Sequence, residues 1–77
     1  MRVLYKILYK NGLDETFDEI APEEQHDELL NTFNKCFLED KAGVIRMSCG
    51  EGCTRLIRVS DVSRVEMAVL WDSVEVN

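Results

Sequence analysis

This chain of 77 residues contains one proline, four glycines, one histidine and three cysteines. So few breakers, with 45% hydrophobic residues, exclude a low-complexity or disordered chain and indicate one globular domain over residues 1–77. Long apolar runs are absent too. Val3-Leu4-Tyr5 is interrupted by Lys6, and nothing approaches the roughly 18 residues that a membrane span needs. No targeting segment is recognisable, so a cytoplasmic protein is expected. Three cysteines are an odd count and no disulfide framework, which makes reduced thiols the expectation. Catalysis needs positioned acids, bases or nucleophiles. A single imidazole and scattered carboxylates offer no such arrangement, and we expect neither an enzyme nor a bound cofactor or metal.

Another absence leads to what is present. No Lys or Arg occurs from Asn11 to Asn34, and eight acids crowd the same stretch: Asp14, Glu15, Asp18, Glu19, Glu23, Glu24, Asp27 and Glu28. The whole formal charge of −6 belongs to residues 1–40, while residues 41–77 are balanced and hold four of the five arginines. Charge so polarised steers encounters and selects the sign of a partner without determining the fold. It also argues against direct nucleic-acid binding, because the phosphate backbone would be repelled.

The pattern of residues predicts two hairpins around one helix. In residues 2–10, Val3, Tyr5, Ile7 and Tyr9 alternate onto one face. Asn11-Gly12 then signals a tight turn, with a return strand from Asp14 to Ile20. A two-residue loop would set Lys6 opposite Phe17 and Tyr9 opposite Asp14. A three-residue loop, Asn11 to Leu13, instead pairs Ile7 with Phe17, Lys6 with Asp18 and Lys10 with Asp14. The second register is favoured, because apolar and opposite-charge cross-strand pairs each contribute about 0.2–1 kcal/mol.

An amphipathic helix is expected over residues 22–41. Pro22 suits its first turn, Glu23 and Glu24 suit the positive end of its dipole, and Lys41 with Gly43 should stop it. Ala21 is a poor cap. His26, Leu29, Leu30, Phe33 and Phe37 recur at helical spacing and form the buried stripe. Strands from Val44 to Ser48 and from Thr54 to Ser60 follow, around Gly50-Glu51-Gly52. Centring that turn on Glu51 faces Ile45 with Ile57 and Met47 with Arg55. Ile45, Met47, Ile57 and Val59 then point to the core, and Arg46 and Arg58 share the other face. Ser60-Asp61 makes a turn, and a last strand, Arg64 to Leu70, buries Val65, Met67 and Val69. Residues 71–77 form a less ordered tail. The expected fold is α+β, in the order ββαβββ, with the helix on an antiparallel sheet of about five strands.

Few constellations carry chemistry. Cys36, Cys49, Cys53 and His26 are zinc-ligand types. However, His26 and Cys36 are ten residues apart, about 15 Å along a helix axis, too far for one ion. Cys49 and Cys53 flank a hairpin tip, where they can form a disulfide, half of a surface metal site, or simply small turn residues. Arg46 and Arg58, with Lys6 if the first strand adjoins, can grip a phosphate, because guanidinium forks match phosphate oxygens.

Tyr9-Lys10-Asn11-Gly12 with Phe17, the acidic helix and the stretch from Ile57 to Glu66 resemble small uncharacterised acidic proteins of phages and prophages of Gram-positive bacteria. That resemblance implies an inhibitor or regulator of host machinery, anti-defence proteins included, working in the host cytoplasm. The leading expectation is thus a non-catalytic binding protein presenting the acidic Asp14–Glu28 surface to a basic site on a host protein. The alternatives are an oligomer that sequesters a phosphate-containing ligand through Lys6, Arg46 and Arg58, and a structural or assembly protein. Leu4, Leu8 and Leu56 would lie on the face that one helix cannot cover. Either a homodimer buries that strip, or the sheet curls into a small barrel.

Overall fold

The computed structural model describes residues 1–40 and 42–71. Strand β1 (Arg2–Tyr9) turns into β2 (Asp14–Ile20) through a loop of Lys10, Asn11 and Gly12. The Tyr9 N–H donates to Leu13 O at 2.8 Å and the Gly12 N–H to Tyr9 O at 3.0 Å. Gly12 takes φ of 92°, and Asn11 Oδ1 accepts the Leu13 N–H at 3.0 Å. A left-handed glycine closing a three-residue loop is a favoured hairpin geometry, and Asn supports the turn from inside. The loop thus begins one residue earlier than expected. Tyr5 lies opposite Phe17, Lys6 opposite Thr16 and Leu8 opposite Asp14. The expected pairs Ile7–Phe17, Lys6–Asp18 and Lys10–Asp14 are therefore not formed. The slip is two residues of β2, so each side chain keeps its face and Phe17 still meets the core.

Helix α1 runs Glu23–Glu39, shorter at both ends than expected. Pro22 stands outside it as the extended N-cap residue, with φ −61° and ψ 152°. Its end is set by Asp40, which adopts φ 51° and donates its N–H to Cys36 O, and not by Gly43. Lys41, the expected last-turn base, lies outside the described residues. The apolar stripe forms as its spacing implies: His26 and Phe33 are buried, Leu29, Leu30 and Cys36 half-buried, and Phe37 is 41% exposed.

The remaining elements are β3 (Val44–Gly50), β4 (Cys53–Arg58), a 3-10 turn (Val59–Asp61) and β5 (Val62–Trp71). The β3–β4 register is the expected one, with Ile45 opposite Ile57 and Met47 opposite Arg55. Overall the fold is α+β in the order ββαβββ, but its strands form two antiparallel sheets. One is β2-β1-β5 and the other β3-β4. β2 and β3 run close together without a backbone ladder; Glu19 Oε2 accepts the Ser48 N–H at 3.1 Å instead.

Val3, Tyr5, Ile7 and Phe17 from the first sheet meet Ile45, Met47 and Ile57 from the second, with Phe33, Val59 and Val62. β5 departs from expectation. Val65, Met67 and Val69 lie opposite Ile7, Tyr5 and Val3, on the core side. Yet Val65 is only half-buried, Met67 is 38% exposed and Val69 49%. β5 is the outer strand of its sheet, with β1 on one side only, so its core-side row is covered less fully than that of β1. The expected outer strip is also broken up. Leu4, flanked by Asp18 and Ala68, and Leu8, flanked by Asp14 and Arg64, are half-buried, whereas Leu56 sits exposed in the other sheet.

Candidate functional site

The acidic run divides at Pro22. Within β2, every carboxylate is used by the fold. Asp18 accepts a fork from Arg2, with Nε at 3.0 Å and Nη2 at 2.6 Å. That hydrogen bond holds the Asp18 carboxyl below its usual range, and Asp18 in turn raises the Arg2 guanidinium. Asp14 lies 3.9 Å from Lys6 Nζ. Glu15 accepts the Tyr9 hydroxyl at 2.5 Å and pairs with Arg55 from β4. Glu19 takes the Ser48 N–H, so it bridges the two sheets.

Glu23, Glu24, Asp27 and Glu28 are different. All four are exposed, and among the described residues none has a side-chain hydrogen bond or an ion pair. Residues four apart lie above one another on a helix. Glu23 with Asp27 and Glu24 with Glu28 therefore make two adjoining rows over the first two turns, centred away from His26 and Phe33. Glu23 and Glu24 also complement the positive end of the helix dipole. The result is a compact, uncompensated negative surface on a rigid element.

A buried polar contact positions that surface. The Tyr5 hydroxyl lies 2.5 Å from His26 Nδ1, and His26 Nε2 lies 3.1 Å from Met1 O. A carbonyl oxygen can only accept, so Nε2 carries a proton; in the neutral ring Nδ1 then accepts from Tyr5. Both ring nitrogens of the chain's single histidine are thereby occupied, fixing the acidic end of α1 to β1. Burial pushes the Tyr5 hydroxyl up to about 12, and the negative charges of Glu19 and Asp27 act in the same direction. Beside this contact is a cleft of about 430 Å³, whose walls include Glu19, Gln25, Glu28 and Arg46.

The basic trio is not assembled. Arg46 lies opposite Leu56 and Arg58 opposite Val44, so the two are diagonal neighbours on the exposed face of β3–β4. Lys6 is on the middle strand of the other sheet, because β2 and β5 occupy both sides of β1. Cys49 and Cys53 form a disulfide across the hairpin, with their Cα atoms 5.2 Å apart. This corrects the expectation of reduced thiols for that pair and leaves Cys36 as a free, half-buried cysteine. Among the described residues, no cluster of three or more His, Cys, Asp or Glu is placed to hold a metal, and no helix is long and apolar enough to cross a membrane.

Sequence reasoning missed the parts of Arg2, Arg55 and Tyr9 in holding the β2 acids. The signal for Arg2 was available: it is the only base near the start of the strand that faces Asp18 and Ile20. Arg55 carried no signal, since its contact joins two sheets. No protein-family model, curated protein or solved structure matches this chain.

Proposed function

We propose that this protein is a non-catalytic binding module that presents the first two turns of α1 to a basic site on a partner protein. One observation carries the reading. Four of the eight acids are consumed by contacts within the fold, while Glu23, Glu24, Asp27 and Glu28 stand exposed and uncompensated together. Like charges gathered on one rigid face favour approach by the opposite charge and accelerate encounter. The occupied ring nitrogens of His26 support a non-catalytic role, since the single imidazole is engaged as a support for the helix. The resemblance to small acidic phage proteins suits an inhibitor or regulator of a host protein, acting in the host cytoplasm.

The reading is tested by capture from a host lysate at increasing salt. Wild-type protein should retain a basic partner that is released as salt rises. A variant with Glu23→Gln, Glu24→Gln, Asp27→Asn and Glu28→Gln should lose it while keeping a native circular dichroism spectrum. Retention by that variant overturns the proposal. If instead Arg46→Ala alone abolishes binding of inorganic phosphate or a nucleotide, the phosphate-sequestering reading takes its place.

A further inference from the structure

β5 is the longest strand of the fold, and among the described residues only β1 pairs with it. Among those residues its other edge is open. Natural edge strands are guarded by brevity, proline, lysine or bulges, because unpaired N–H and C=O groups template pairing with another chain. β4 has one such guard, being only six residues long. β5 has ten residues with no proline or lysine, and its irregularities fall only near its two ends. Met67, Val69, Leu70 and Trp71 on it are each 38–49% exposed.

We infer that two copies of this chain pair antiparallel through β5, with Val65 on the two-fold axis, joining two three-stranded sheets into one of six. Local charge balance favours a second copy here, and it favours the register that faces Arg64 with Glu66. Each copy carries −6, so two copies repel except where a surface is locally balanced, and β5 holds one Arg and one Glu. With Val65 facing its own copy, Arg64 of each chain lies opposite Glu66 of the other, twice by symmetry. Opposite charges facing across strands stabilise the pairing and like charges oppose it. A register centred on Glu66 sets glutamate against glutamate, and one centred on Arg64 sets arginine against arginine. Within one chain Arg64 Nη2 already lies 3.0 Å from a Glu66 carboxylate oxygen, so pairing turns two isolated ion pairs into a four-membered network. Val65 meets Val65, and Met67 meets Ser63, which withdraws part of the exposed apolar row from water.

Sedimentation equilibrium on the whole protein tests this. The wild type should show a mass twice that of the chain at high micromolar concentration. Arg64→Glu and Glu66→Arg, both at exposed positions, should each weaken self-association by about tenfold or more, since each sets like charges opposite one another at two places. An equimolar mixture of the two variants should recover the dimer, because every cross-strand pair is then of opposite sign. Recovery on mixing shows that residues 64 and 66 of the two copies face one another, and it would not follow from a variant that simply folds poorly. A monomeric wild type, single variants that dimerise unchanged, or a mixture that stays monomeric would each overturn the inference.

Discussion

Residues 14–19 and residues 23–28 each hold four acids, yet the two quartets have opposite fates. In β2 they are divided among Lys6, Arg55, Arg2 and the Ser48 N–H, and they join elements together. On α1, among the described residues, they have no ion-pair or side-chain hydrogen-bond partner and stand exposed, with Glu28 at the wall of the cleft. The difference lies in reach. A β2 side chain has β1 on one side and β3–β4 on the other, and both bring bases or free N–H groups. The exposed rows of α1 meet no base and no free N–H among the described residues. Equal composition therefore yields structural glue in one place and a presented surface in the other.

The largest effect on this contrast should come from removing what holds the helix in place. Phe33→Ala should cost about 3–5 kcal/mol, because Phe33 is almost fully buried in the shared core. In a domain this small that is most of the available stability. Thermal melting should show the loss, and the helix quartet should then cease to be a defined surface. Tyr5→Phe should cost about 1–3 kcal/mol by leaving His26 Nδ1 buried without its partner. Hydrogen exchange should rise first in the first turns of α1, whereas β2 should stay protected. An unchanged exchange pattern would show that His26 does not position the acidic end.

Breaking the Cys49–Cys53 bridge is expected to have a smaller effect. The linked residues are only four apart in sequence, so reduction, or Cys49→Ser, should destabilise by about 2 kcal/mol or less in denaturant titration. It should loosen the strand that carries Arg55 and hence the Glu15 contact, while leaving the helix quartet as it was.

The gentlest test compares the quartets directly. Asp18→Asn should lower the melting temperature slightly, and Asp27→Asn should leave it almost unchanged, since an exposed acid without a partner contributes little. Acid titration should repeat the contrast. The Asp18 carboxyl is lowered in the folded state, so its contribution is present above about pH 4 and is lost as pH falls below that value. At the other extreme, Tyr5 is raised to about 12. The folded state therefore keeps its proton longer, and stability should decline as pH climbs from about 10 towards 12. Tyr5→Phe should shrink that alkaline limb, leaving the part due to Tyr9, whose hydroxyl is also raised by burial.

Much of this was legible in the chain itself, and for physical reasons. Side-chain direction repeats every two residues in a strand and every 3.6 in a helix. The alternation of Val3, Tyr5 and Ile7, and the helical spacing of His26 and Phe33, therefore determined the elements, their order and the faces they bury. The symmetric Gly-Glu-Gly tip likewise set the β3–β4 register, because local turn chemistry suffices there. The β1–β2 register was legible only to within two residues: both registers of the same parity bury the same side chains, and the backbone of Gly12 chose between them. Contacts distant in sequence belonged to the tertiary structure alone. It decided that five strands make two sheets, that Lys6 stands apart from Arg46 and Arg58, that Cys49 and Cys53 are joined, and that β5 is left at the edge of its sheet. It also decided which acids bind the fold together and which face outward, because whether a charge meets a partner depends on which elements pack beside it, and no local pattern encodes that.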